Sequence, residues 1–177
     1  MRRIKVIGIS TLITGLLFLT VTSIRIVNNK RALTSATKCW ESGLVIYDNH
    51  ELVGRLLIPG VEIDTIILGD DSNSALEIGP VLVTGSVPPG KNGNLILAGH
   101  RDTVFRNLAM VETGDTIKVE TLKKDMTYVV TSRNIIDPED VRLLEPTNTN
   151  CITLVTCFPF TYIGTAHQRY IIRGISL

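Results

Sequence analysis

The chain has 177 residues, with 18 lysines and arginines against 17 aspartates and glutamates and a formal net charge of +1. That length fits one folded domain, and a near-neutral charge exerts no general pull on nucleic acid or acidic polymers. Trp40 is the only tryptophan and no basic run alternates with aromatic residues, which argues against nucleic-acid binding. The three cysteines, Cys39, Cys151 and Cys157, are too few and too odd in number for a disulfide framework.

Val6 to Ile24 is free of charged residues. As a helix at about 1.5 Å per residue it would span roughly 28 Å, close to the hydrocarbon thickness of a bilayer. Its serines and threonines are tolerable there because helix hydroxyls bond back to backbone carbonyls. Arg2, Arg3 and Lys5 favour an N-terminus inside the cell, while Arg25, Lys30 and Arg31 weaken that bias. A cleaved signal peptide ending near Val21 and Ser23 is the alternative. The apolar run exceeds the usual signal core of about 7–15 residues, which favours an uncleaved anchor. The expected organisation is a cytoplasmic N-terminus at 1–5, a transmembrane signal anchor at 6–27, a partly helical extracellular tether at 28–50 and a folded domain at 51–177. That makes a single-pass membrane protein with its folded domain outside the cell.

From Leu52 onward the texture becomes short β-rich runs broken by Pro59-Gly60, Pro88-Pro89-Gly90, Asn92-Gly93, Gly114-Asp115 and Gly164. The predicted strands are Leu52–Ile58, Val61–Leu68, Pro80–Thr84, Asn94–Ala98, Thr116–Glu120, Met126–Ile136, Cys151–Cys157 and Gln168–Ile175. Ile117 and Val119 alternate with polar neighbours, and the same period of two recurs around Tyr128, Val130 and Ser132. Short helices are expected at Ser72–Glu77, Val104–Leu108 and Pro138–Leu143, the last capped by Asp137. Eight short strands and few helices argue for an all-β fold, a closed or nearly closed barrel.

Cys157 ends the run Thr153-Leu154-Val155-Thr156-Cys157 and is followed by Phe158-Pro159. Proline forbids further ladder pairing, so the sulfur can stand at a barrel rim. A buried structural cysteine is the bland alternative. Cys151 lies six residues earlier, about 20 Å along a strand, too far for a disulfide with Cys157. His100 likewise follows a strand, after Gly99, and its proton equilibrium suits acid and base work near neutral pH. A histidine bonded to loop backbone is the other reading, and Asp102 could orient it in either case. Arg169 lies twelve residues after Cys157, beyond a hairpin loop at Phe158–His167 that would bring it beside the cysteine strand. A guanidinium there offers fixed donors and a permanent charge to a substrate or an oxyanion. Arg173 reads as a surface arginine, and His167 competes with His100 for the histidine role.

TLVTC with Arg169 downstream, NLILAGH upstream, the opening GRLLIPGVEIDTIIL and the run GHRDTVFRNLAMVETGD together resemble the sortase family, over roughly Leu52 to Leu177. The resemblance implies an eight-stranded sortase-type barrel and a cysteine transpeptidase that recognises an LPxTG-like sorting signal. Cys157 would attack the carbonyl after the threonine to form a thioacyl-enzyme. His100 would protonate the leaving amine and then assist the incoming one, usually on lipid II or another peptidoglycan precursor. Arg169 would steady the substrate or oxyanion, and Thr156 would add a contact to the peptide. The aromatic-proline-aromatic run after Cys157 is most like class D sortases, with housekeeping and pilin-polymerising classes as alternatives. No proline-bearing lid lies in 28–53, no second apolar span precedes Leu177, and only Asp137–Asn150 separates the strands before the cysteine. The resemblance implies no obligatory cofactor; some sortases use calcium, but the carboxylates Glu62, Asp64, Asp70, Asp71 and Glu112 form no dedicated calcium-loop pattern. Cys157, His100 and His167 lack the close spacing of a zinc site. A non-enzymatic adhesive β-domain on a membrane stalk is the reading from another class.

Overall fold

Burial along the strand from Gly54 to Ile58 alternates residue by residue, with Gly54, Leu56 and Ile58 buried and Arg55 and Leu57 only partly so. That is the signature of a sheet with one face on a core. The computed structural model describes residues 2–140, 142–145, 147–161 and 164–177. Among them are two α-helices, α1 (Arg2–Glu41) and α2 (Asn73–Ile78), and nine strands. The strands are β1 (Ile46–Tyr47), β2 (His50–Ile58), β3 (Ile63–Leu68), β4 (Val81–Leu82), β5 (Asn94–Ala98), β6 (Thr116–Glu120), β7 (Met126–Ile136), β8 (Cys151–Phe158) and β9 (Gln168–Ser176).

Strands β2 to β9 follow the order β2-β3-β4-β5-β8-β9-β7-β6, and β6 pairs back with β2, which closes an eight-stranded barrel. The β3–β4 and β5–β8 pairs are parallel and the others antiparallel. At the closing seam a Cβ on Gly54 would lie 2.9 Å from the Glu120 carbonyl oxygen, so only glycine fits. Leu56, Leu95, Leu97, Phe105, Ile117, Val119, Ile152, Leu154 and Ile172 fill the interior.

Helix α1 is long and apolar enough to cross a membrane, with a mean hydropathy of 1.9 over its most apolar window. Thr14 and Thr22 donate their hydroxyls to the carbonyls of Ser10 and Phe18, both at 2.9 Å, so these groups are satisfied within the helix. The helix then continues without a break to Glu41, through the first half of the segment expected to be a tether, before the chain turns into β1. Ala32, Ala36, Cys39 and Trp40, apolar positions that look scattered in the sequence, fall on one helical stripe. They pack with Leu52, Ile66, Leu68, Ala75, Ile78 and Val81 as a second core outside the barrel. Ser72 accepts the backbone N–H of Ala75 at the start of α2, 3.3 Å away. Its hydroxyl, and after it His50, hold the Asp70 carboxyl below the usual carboxylate range.

Two expected helices are tighter turns. The chain is 3₁₀ at Arg106–Met110, and again at Arg142–Leu144 in place of a helix from Pro138. Asp140 N–H bonds the Asp137 carbonyl at 3.0 Å, a turn that closes before a helix can propagate. Val141 of that expected helix, and Tyr162 and Ile163 of the expected hairpin loop, lie outside the described residues.

Candidate active site

Ile152 and Leu154 of β8 belong to the barrel core, so by alternation Cys151, Thr153, Val155 and Cys157 lie on the outer face. Tyr170 and Ile172 likewise point β9 inward and set Arg169, Ile171 and Arg173 outward. The β8–β9 register pairs Cys157 directly with Arg169. Opposed residues on one face have Cβ atoms about 4.5–5.5 Å apart, so the thiol and the guanidinium stem start side by side.

On the other flank β5 runs parallel to β8, with Ala98 opposite Val155. The ladder continues past the strand end, where Gly99 N–H donates to the Val155 carbonyl at 3.1 Å and the Thr156 hydroxyl donates to the Gly99 carbonyl at 2.7 Å. His100 therefore stands level with Cys157, one strand spacing of about 4.8 Å away. Gly99 is required at this point, because a Cβ would sit 2.7 Å from the buried Phe105 ring. The turn that follows closes when Phe105 N–H donates to the His100 carbonyl at 3.0 Å. Cys157, His100 and Arg169 are each half-buried, at the same edge of three adjacent strands.

The other candidates fall elsewhere. Thr156 is 3 % exposed, lies on the opposite strand face from Cys157 and donates to the Gly99 carbonyl, so it ties β8 to β5. Asp102 is exposed and no hydrogen bond joins its carboxylate to His100 among the described residues. His167 is exposed at the end of the β8–β9 connection. Arg173 is not a free surface residue: it is half-buried and donates to the Cys151 sulfur at 3.4 Å. That sulfur and Thr153 both bond Asn94 Oδ1, at 3.3 and 2.7 Å, a buried polar knot at the far end of the same face. All three cysteines are free.

A family model described as a sortase domain matches residues 56–176, from β2 to β9. The chain belongs to the sortase family. Sortase D of Bacillus subtilis is 34% identical over 122 residues, covering 68% of this chain and 62% of that relative. Among solved structures, a sortase D5 transpeptidase of Clostridium perfringens superposes with a TM-score of 0.69 at 23% identity, over 84% of this chain and 98% of that one. At that identity the likeness speaks for the fold. A sortase C of Clostridium perfringens, solved with the C-terminal cell wall sorting motif, superposes with a TM-score of 0.65 at 25% identity, over 72% and 71% of the two chains.

One site feature of this sortase escapes sequence reading. Arg101 donates to the carbonyls of Pro159 at 2.9 Å and Gly164 at 3.1 Å, binding the β8–β9 connection to the turn that carries His100. Phe158, Phe160 and Tyr170 pack edge-on and stacked beneath it, with ring centroids 5.2–6.3 Å apart. The only sequence signal was an arginine directly after the histidine.

Proposed function

We propose that the chain is a membrane-anchored sortase, most like class D, that cleaves an LPxTG-like signal after its threonine and transfers the protein to a cell-wall amine. The observation that carries this reading is the register: Cys157 opposite Arg169 on one neighbour and level with His100 on the other. The sorting motif bound by the sortase C relative supports the substrate class, and the first relative named supports the subclass. An uncleaved α1, with its N-terminus inside, supplies the anchor.

The Cys157 thiolate attacks the carbonyl carbon, and Arg169 donors face the oxygen as it gains charge. The C–N bond breaks as His100 gives its proton to the leaving amine, and the acyl group stays on sulfur. An incoming amine then attacks the thioester, loses its proton to His100, and releases Cys157. No cofactor enters these steps.

The test uses the full chain in nanodiscs with LPxTG and LPxTA peptides and an added amine. Cleavage after threonine, an acyl mass on Cys157, and loss of both in Cys157→Ala are the expected results. A Cys157 that reacts with alkylating reagents yet accepts no acyl group from either peptide would overturn the substrate class. An unreactive thiol would overturn the enzyme and favour a structural cysteine.

A further inference from the structure

An open groove of about 420 Å³ lies where the loop before β5 meets the β6–β7 turn. The loop supplies Pro89 and Lys91, the turn supplies Leu122, Lys123 and Lys124, and Trp40 near the end of α1 lines the groove as well. This loop precedes β5 and the His100 turn follows it, so the two stand at opposite ends of that strand.

Both segments are fixed by their own hydrogen bonds. Lys91 N–H donates to the Pro88 carbonyl at 3.2 Å, and the Thr121 hydroxyl oxygen accepts the N–H groups of Lys123 and Lys124 at 3.2 and 3.0 Å. The three lysines are exposed, and among the described residues no carboxylate pairs with any of them. Glu51 is the one acid in the lining, and Asp125, next to Lys124, lies outside it. Three cations against one carboxylate make a local positive field on a chain whose net charge is only +1.

Trp40 adds a donor. Its side chain is 9% exposed, yet its indole N–H meets no acceptor among the described residues, whereas buried indoles usually find one. The N–H is not sealed from solvent either, because among those residues the Thr65 hydroxyl is the buried side-chain polar atom left without a partner. A tryptophan packed so deeply therefore opens its one donor onto the groove that it lines.

Position and chemistry select the anion. Trp40 lies about 22 Å along α1 from Arg25, where the apolar run ends, and a headgroup layer is only about 5–8 Å deep. With α1 as the proposed anchor, the groove stands clear of lipid phosphates. Lysine ammoniums are point charges suited to phosphate and lack the planar fork that arginine offers a carboxylate. Pro89 and Leu122 beside them give apolar surface for uncharged stems between phosphates.

We propose that this groove docks a phosphodiester polymer outside the membrane, its phosphates on Lys91, Lys123 and Lys124 and one oxygen accepting the Trp40 N–H. The inference goes beyond the transpeptidase reading and takes from it only the anchor and the outward-facing domain.

Trp40 is the only tryptophan in the chain, so its fluorescence reports this site alone. The full chain in neutral detergent is titrated with poly(glycerol phosphate), with polyglutamate of equal total charge, and with inorganic phosphate. A saturable change in Trp40 emission is expected with poly(glycerol phosphate), about tenfold tighter than with either other anion. Lys123→Glu with Lys124→Glu should weaken it about tenfold or more, since charge-assisted contacts become repulsive. Lys30→Glu with Lys38→Glu, an equal change in net charge outside the groove, should leave the affinity unchanged. Equal weakening by both pairs overturns the site, as does sedimentation with the polymer that leaves Trp40 emission unaltered. Equal affinity for inorganic phosphate overturns the polymer, and equal affinity for polyglutamate replaces it with an acidic protein segment. Binding of none of the three overturns the proposal outright. A chain that binds the polymer yet forms no thioacyl adduct keeps this site and sinks the transpeptidase reading instead.

Discussion

Arg101 sits one position past His100, and hydrogen bonds from it reach 58 and 63 residues ahead, to Pro159 and Gly164. No period or spacing marks such a residue, because its role depends on a loop that only the folded barrel brings near. That Cys157, His100 and Arg169 come together was legible for the opposite reason. Each lies at a strand end, and hairpin arithmetic already set Arg169 beside the cysteine. Thr156, next to the cysteine in sequence, falls on the other face of the strand and bonds the Gly99 carbonyl. Arg101→Ala should free the β8–β9 connection and raise KM for the sorting peptide about tenfold or more, as hydrogen bonds from a charged donor are lost. Because Arg101 positions a loop and does not touch the reacting atoms, kcat should fall far less. Steady-state kinetics on the quenched peptide separates the two, and an equal loss in kcat would place Arg101 in the chemistry itself.

At the scale of elements, β2 to β9 could all be read from alternation and turn residues to within about two residues. The period of two is imposed by the pleat and survives wherever one face is buried. The connections were harder to read: capping residues such as Asp137 suit both a helix start and a simple turn. The turn after β5 is where an element most directly sets the site. Gly99→Ala would press a methyl group against Phe105, a residue with no solvent exposure that cannot retreat from the core. Overpacking of this kind costs about 1–3 kcal/mol, and relief by backbone shift would carry His100 out of level with Cys157. The expected result is a modest drop in melting temperature with a much larger loss of acyl transfer. A variant of full activity would mean that the turn adapts without moving the histidine.

For the molecule as a whole, the contribution of the sequence between the apolar run and the barrel was the least visible. Read as a string, residues 28–50 are polar and tether-like; read on a helix, Ala32, Ala36 and Trp40 form a stripe that buries against β3 and α2. The barrel is thereby fixed to α1 instead of swinging from it; with α1 as the proposed anchor, this joint would set the height and tilt of the Cys157 edge over the membrane. Trp40 is the largest side chain in that joint and is 9% exposed. Truncation in Trp40→Ala removes a buried aromatic at a cost of about 3–5 kcal/mol, a fall in melting temperature on the order of 10 °C for a chain of this size. Two outcomes separate anchoring from mere stability. If the joint orients the barrel, transfer to a lipid-borne amine should fall several-fold below transfer to free triglycine at temperatures where the protein remains folded. If the two acceptors lose rate in step, Trp40 stabilises the domain without aiming it.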